Sequence, residues 1–463
     1  MQKILAIAWL TWKAAIRFRL FLVLAALLLA SVVALPLLLE DDGTPAGFAQ
    51  ILLTYTLTTI TTLLGLSTLW LACGTLARDI EECQIQVVAV KPVARWQIWL
   101  GKWLGLVSLN AALLAISGAG VYTVLQWRAD RLPPLEREKL RNEILVARGS
   151  ARESSKEKFI QQETERLLKE RLQAAHNADI DVAQVRAQIR LLVLAQMQVV
   201  GPGEVHGWSI NLGPVKDRIR GQPLFLRVKF NAARDSEWNV STFRALWQVG
   251  DPDKTRIWHS APMSLAQDTF HEFAIPPDLV DADGNLTILF NNINNSALLF
   301  PLGDGMEVLY REGSFEANYV RALGIILCWM ALLAALGLAA ASFLSFPVAA
   351  FCSLTLLAMA LFSNSIANVV ADNSLLGFDP HAGGMRHTPL DSIFIPVFRV
   401  LVTVIGMAKN FSPIAALSLG RSITWLELFT AFTRIVLVLG GIIGGIGMLM
   451  FHRRELATAQ GNQ

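Results

Sequence analysis

Residues whose types and spacing could do chemistry are few, and none of them forms a catalytic set. His271-Glu272 has no second histidine at the spacing a zinc protease helix needs, and no Gly-x-Ser-x-Gly elbow occurs. No Gly-x-x-x-x-Gly-Lys-Ser/Thr run exists to cradle a triphosphate; Gly101-Lys102 lacks the upstream glycine. Asp379, His381 and His387 are a weak metal candidate, because their spacing is loose and no cysteine stands near them. Cys73, Cys83, Cys328 and Cys352 all fall in or beside apolar runs and read as small buried hydrophobes. His206, Trp208, Trp238, Trp247 and Trp258 could stack against a sugar, although core packing is the preferred role for most of them. The chain reads as non-catalytic, with no metal or cofactor of its own.

The charged residues with informative spacing are Arg78, Glu81, Glu82, Arg95 and Lys102, in the stretch from Arg78 to Lys102. They lie between two long apolar segments and flank a Lys91-Pro92 break that separates one short amphipathic element from the next. Such a piece belongs at a membrane surface.

The elements that must position it are membrane spans. The composition is 53% hydrophobic and 17% charged, against about a quarter charged in a typical soluble domain. The net charge of +3 is too small to suggest a nucleic-acid partner. Residues 1–19 mix Ile4, Leu5, Ile7 and Trp9 with Lys3, Lys13, Arg17 and Arg19, which suits an interfacial elbow helix or a plain basic flank. Crossings are expected at 20–39, 51–77, 98–127, 319–343, 347–370 and 429–451, about six in all. Lys3 to Arg19 precede the first, Glu40, Asp41 and Asp42 follow it, and Arg78 to Lys102 follow the second. The positive-inside bias therefore puts both termini in the cytoplasm, with residues 452–463 as a tail. Ile393 to Ala408 is apolar but short and contains Pro396 and Arg399, so 373–425 is expected to be re-entrant or interfacial. Thr58 and Thr62 on the second span, and Asn364 and Asn368 near the end of the fifth, are candidates for a translocation surface; helix packing and a wet helix end are the plainer roles.

Between the third and fourth spans the chain leaves the membrane. Residues 132–200 are rich in Glu, Lys, Arg, Gln and Ala and are expected to form a helical hairpin turning near His176 to Asp181. Residues 201–316 carry Gly-Pro turns and short alternating runs at Leu224–Phe230, Phe243–Val249, Phe270–Ile275 and Leu286–Phe290, with Asp283-Gly284-Asn285 as a turn. That pattern predicts a β-sandwich. The expected architecture is a polytopic α-helical membrane protein with an extracytoplasmic α+β insertion.

The stretch from Arg78 to Lys102 resembles the coupling segment of ABC-2 type transporter membrane subunits. Arg78, Glu81, Pro92, Arg95, Ile98, Gly101 and Lys102 fall on the family pattern in register, while Cys83 and Gln84 stand where the family usually has Gly and Thr. Leu417 to Gly420, Ile423 to Glu427 and Phe451-His-Arg-Arg-Glu-Leu456 are similar to the end of the same family, and the middle of the chain is outside the likeness. Leu417-Ser-Leu-Gly-Arg421 is not an ATPase signature. The resemblance implies a permease subunit in the cytoplasmic (inner) membrane that exports or extracts a substrate. It implies coupling through segment 78–97 (Arg78, Glu81, Glu82, Pro92, Arg95 and Lys102) to a separate cytoplasmic ABC ATPase that binds ATP and Mg. A second permease copy or paralogue would complete the dimer, membrane lipid would surround it, and a periplasmic protein or glycan would meet the outer domain. A competing reading is a membrane-anchored adaptor whose outer domain binds glycan or protein.

Overall fold

The computed structural model describes residues 2–17, 19–38, 44–82, 93–141, 145–154, 156–174, 182–232, 242–375, 378–379, 384–385, 388–409 and 411–454. Cys83, Gln84, Pro92, Trp238, His381, His387, the 176–181 turn and the tail from 455 lie outside these residues, as do the side chains of Asn364 and Asp372. The chain divides into two units: Met1–Val146 with Ser314–Gln463, and Ala147–Gly313.

The first unit is helical. Its elements are α1 (Gln2–Arg17), α2 (Arg19–Leu38), α3 (Pro45–Glu81) and α4 (Arg95–Ala129), then, after the second unit, α5 (Phe315–Ala341), α6 (Phe346–Leu361), α7 (Ser363–Asp372), α8 (Asp391–Lys409), α9 (Pro413–Ser418) and α10 (Trp425–Arg453). Local chemistry starts several of them. Thr44 Oγ1 accepts from Gly47 N at 3.0 Å ahead of Pro45, and Thr424 Oγ1 accepts from Glu427 N at 3.1 Å. Residues 47–81, 95–129, 315–341, 391–408 and 425–453 are each long and apolar enough to cross a membrane.

Two elements differ from the sequence expectation. Residues 347–370 are not one straight crossing: α6 stops at Leu361, and the helix that continues from Ser363 is turned by 68°. The apolar run ends there, and serines such as Ser363 and Ser365 have hydroxyls that compete with the helix ladder for backbone hydrogen bonds. Conversely, Ile393 to Ala408 belongs to one continuous helix, α8, with Pro396 inside it. Proline costs a helix one hydrogen bond without necessarily ending it, so length is retained.

Close helix contact is carried by small residues. A Cβ on Gly101 would lie 2.7 Å from Ile7 Cβ, and one on Gly105 would lie 2.7 Å from Thr11 Cβ. Gly101-Lys-Trp-Leu-Gly105 thus presents a bare notch on α4 into which α1 settles, and Trp12 Nε1 donates to Ser108 Oγ at 2.8 Å one turn further on.

The second unit joins a helical hairpin to a β-sandwich. The hairpin helices, α11 (Glu157–Ala174) and α12 (Val182–Gln198), run antiparallel, as the pairs Glu157–Arg190 and Glu165–Arg186 show, and bury Ile160, Leu168, Ile189 and Val193 between them. One sheet consists, in spatial order, of Val146–Ala151, Met306–Ser314, Leu224–Val228 and His271–Ile275. The other contains Val205–Asn211, Asn285–Asn291, Thr242–Val249 and Trp258–His259, with Met263–Ala266 also paired to Thr242–Val249. Inward residues of both sheets, including Leu226, Val308, Trp247, Ile288 and Phe290, form one core. The strand at Val146–Ala151 corrects the expectation that the helical hairpin occupies the whole of 132–200. Gly149 lies so close beneath the Tyr310 ring that its Cβ would fall 2.5 Å from Cε2, which fits a strand crossing under an aromatic neighbour.

A ladder of charge crosses the first sheet. Glu307 stands opposite Arg227, and Arg227 opposite Glu272. Glu307, with no exposed side-chain surface, accepts from Arg152 at 3.1 Å and lies 3.4 Å from Arg227, while Arg148 pairs with Glu272. Burying these charges is tolerable only because they are paired. At the Asp283-Gly284-Asn285 turn, Gly284 takes φ +85°, and Asp281 Oδ1 accepts from Asn285 N at 2.7 Å. Burial alone would raise the Asp281 carboxyl, but the Asn285 N–H and the Lys254 ammonium outweigh it and hold the group below the ordinary aspartate range.

Four outcomes are expected. Gly105→Val overfills the α1–α4 contact and lowers stability by about 1–3 kcal/mol, read as a lower Tm in detergent; an unchanged Tm would remove the notch. A soluble fragment of residues 132–316 folds with mixed helix and strand circular dichroism, and Glu307→Ala in it costs about 3–5 kcal/mol by urea unfolding because two arginines lose their shared partner. In the same fragment the depressed Asp281 carboxyl contributes stability that is complete above the ordinary aspartate pKa of ~3.9 and is lost as pH falls through the lower folded value. Asp281→Asn should therefore flatten the acid limb of stability against pH.

Candidate functional site

The charged residues of the Arg78–Lys102 stretch stand where α3 ends and α4 begins. Backbone groups at such helix ends lack intrahelical partners, and near lipid they need protein donors or acceptors. Lys102, Glu81 and Arg95 each meet part of that need on another helix.

Lys102, 8% exposed, donates to Asp79 Oδ2 at 2.6 Å and to the Thr75 carbonyl at 2.8 Å, joining α4 to the last turns of α3. Glu81 Oε1 accepts from Phe346 N at 3.0 Å, placing a carboxylate at the N-terminus of α6, where the helix dipole favours negative charge. Arg78 lies over the Phe346 ring at 4.7 Å, and Trp70 meets the same ring edge-on at 5.0 Å. Glu82 is the C-cap of α3, its N–H bonded to the Arg78 carbonyl at 2.8 Å.

Arg95, the first residue of α4, reaches the other end of the sequence. Its Nη1 donates to the carbonyls of Phe451 at 3.2 Å, His452 at 2.6 Å and Arg454 at 2.9 Å, and so caps the C-terminus of α10. Arg454 Nη1 in turn lies 3.4 Å from the Ala341 carbonyl and 3.2 Å from that of Ser342, at the end of α5. Between these contacts the Trp99 indole fits against Gly444 and Gly447 of α10, where a Cβ would come within 2.9 and 3.3 Å of the ring. Asp79–Lys102, Glu81–Phe346, Arg95–Phe451 and Arg454–Ala341 therefore tie α3, α4, α6, α10 and α5 together at one end of the helical unit.

Asp79 and Phe346 are members of this latch that motif reading did not single out, whereas Arg454 lies in the C-terminal stretch that carries part of the resemblance. A basic pair directly after a final apolar helix, as in Arg453-Arg454, is the one signal in the sequence that points to carbonyl capping.

The remaining candidates are not gathered into a site. Thr58 and Thr62 are exposed on α3, on one face with Tyr55, Leu66 and Trp70, and Asn368 is exposed on α7. Among the described residues no hydrogen bond links the threonines to Asn368. Thr56 is buried and bonds back to the Leu52 carbonyl at 2.5 Å, the packing role for that part of the threonine-rich face.

Trp208 and Trp247 belong to the core of the second unit, and Trp258 packs against it. Trp247 is wholly buried 4.6 Å from Phe290, and Trp208 is buried 5.2 Å from Phe300, so neither offers a face to a sugar. Strand alternation points both inward. His206 packs on Trp208 at 4.5 Å, and burial followed by the Lys156 charge pushes its imidazole below the ordinary histidine range. Among the described residues no three His, Cys, Asp or Glu side chains are grouped to hold a metal.

Arg95→Ala leaves the last carbonyls of α10 without their donor and is expected to cost about 1.5–3 kcal/mol, the range for hydrogen bonds to a charged group. Limited proteolysis should then cut nearer the α10 C-terminus, and unaltered cleavage and Tm would remove the capping role. In comparisons with protein-family models, curated proteins and solved structures, the chain finds no match in any of the three.

Proposed function

We propose that this chain is the membrane subunit of an ATP-driven ABC-2 type transporter in the cytoplasmic membrane, powered by a separate cytoplasmic ATPase that binds ATP and Mg. Several long apolar helices are compatible with a multi-pass membrane protein, and the positive-inside charge count supports cytoplasmic termini with the insertion on the far side. In this reading the chain works as a dimer with a second permease copy or paralogue, and exports or extracts its substrate.

The observation that carries the proposal is the latch. Arg78, Glu81, Arg95 and Lys102 flank a short segment between two adjacent long apolar helices, and between them they engage α3, α4, α6 and α10. Arg454 carries the connection on to α5. A displacement applied to the segment is thereby delivered to five helices through charge-assisted contacts, which suits a part that receives a mechanical input. Ordinary anchoring helices need no such convergence.

Glu81→Lys or Arg95→Glu would damage latch and coupling together. A cleaner test replaces Gln84 to Val90 with Gly-Ser repeats of equal length, leaving every latch residue in place. The native chain is expected to co-purify in mild detergent with an ABC ATPase from its host, and the replacement to lower retention and transport-coupled ATP hydrolysis at least tenfold at unchanged Tm. Undiminished hydrolysis and retention, or an envelope protein in place of the ATPase, would overturn the proposal.

A further inference from the structure

Between α4, α5 and α10 the helical unit contains a groove of about 380 Å³, lined by residues that include Trp103, Gly324, Cys328, Trp425, Phe429 and Phe432. No lining residue is charged. Its volume falls in the ~300–1,000 Å³ range of small-molecule sites, but it lacks the convergent polar groups that orient a water-soluble ligand.

The groove is built by identifiable features. Gly324 faces Leu428 without a side chain, and a Cβ there would come within 3.0 Å of Leu428 Cδ1. Trp103 is fixed by donating from Nε1 to the Ala331 carbonyl at 2.9 Å. Where α10 passes the groove it changes to π-helical geometry over Phe432–Gly440, a form associated with functional sites. Trp425 and Phe429 are 65% and 66% exposed.

A cation, Arg321, stands at its rim. Arg321 lies one turn before Gly324 on α5, with its guanidinium 5.6 Å from the Trp425 ring centre. Its Nε donates to the Ala317 carbonyl at 3.1 Å, and no carboxylate pairs with it among the described residues. Arg321 and Ala341, whose carbonyl is bonded by Arg454, are 20 residues apart on one helix. At ~1.5 Å per residue that is about 30 Å, one hydrocarbon thickness. Arg321 and Trp425 thus sit at the depth where lipid phosphates lie and where arginine and tryptophan are favoured.

We propose that this groove is a binding site for a glycerophospholipid, with one acyl chain along Phe432, Cys328 and Trp103 and the phosphate on Arg321. The uncharged lining suits a hydrocarbon chain, and the Arg321 guanidinium complements the phosphate. The inference depends on the helices spanning a membrane and not on the transporter reading.

Arg434 supplies an internal control. It is an arginine of α10 two positions beyond Phe432, and so about half a turn round the helix from the groove. The full chain would be purified in mild detergent, stripped with excess detergent, supplied with phosphatidylglycerol and examined by native mass spectrometry. One phospholipid retained by the wild type, retention lowered at least fivefold in Arg321→Gln, and no loss in Arg434→Gln are expected. Alkylation of Cys328 by an apolar maleimide, followed on its peptide, should slow at least threefold with added phosphatidylglycerol in the wild type but not in Arg321→Gln. No retained lipid, equal loss in both arginine variants, or Cys328 labelling indifferent to lipid would overturn the site. Protection of Cys328 only in a dimer of the chain would overturn it equally.

Discussion

The structure of the helical unit depends on how helix ends are satisfied. Each α-helix finishes with backbone groups that its own turns cannot bond. Here their partners come from charged side chains of neighbouring helices: Arg95 on the carbonyls of α10, Arg454 on those of α5, and Glu81 on the first amide of α6. These contacts explain why charges survive beside apolar packing. They also fix which helix ends share one end of the unit, since a guanidinium cannot cap a helix it cannot reach.

The same residues carry the resemblance to a coupling segment, and the two roles are compatible. A side chain that caps a neighbouring helix is already a mechanical link, because moving its backbone either moves the capped helix or breaks a charge-assisted bond. Lys102–Asp79 is the most enclosed of these links, with the lysine side chain 10% exposed and the aspartate 35%. Loss of either partner leaves a partly buried charge, so the pair constrains the α3–α4 geometry more than it contributes net stability.

The second unit meets the same problem with different means. Its core is aromatic and shared by two sheets, with Trp247 wholly enclosed, whereas Glu307 and Arg227 are buried as cross-strand partners. Trp208 and Trp247, candidates for stacking a sugar, are consumed by the core, and Arg227, Glu307 and Glu272 form a ladder across a sheet. On the hairpin Phe159, Leu191 and Leu192 stand exposed.

By itself the sequence determined the elements that depend on local pattern. Long apolar runs, the hairpin periodicity and the alternating strands at Leu224, Thr242, His271 and Asn285 were legible because hydrophobic period and turn chemistry are local properties. Motif spacing picked out Arg78, Glu81, Arg95 and Lys102 as a set. Only the tertiary structure decided what they touch: Arg95 and the Phe451 carbonyl are 356 residues apart, and no local rule pairs them. The strand at Val146–Ala151 and the bend after Leu361 were likewise settled by partners distant in sequence or by competing polar side chains, which outweigh helix propensity differences of well under ~1 kcal/mol per residue. The groove beside Arg321 depends on Gly324, Leu428 and a π-helical stretch meeting in space, and that convergence is not written in any one segment.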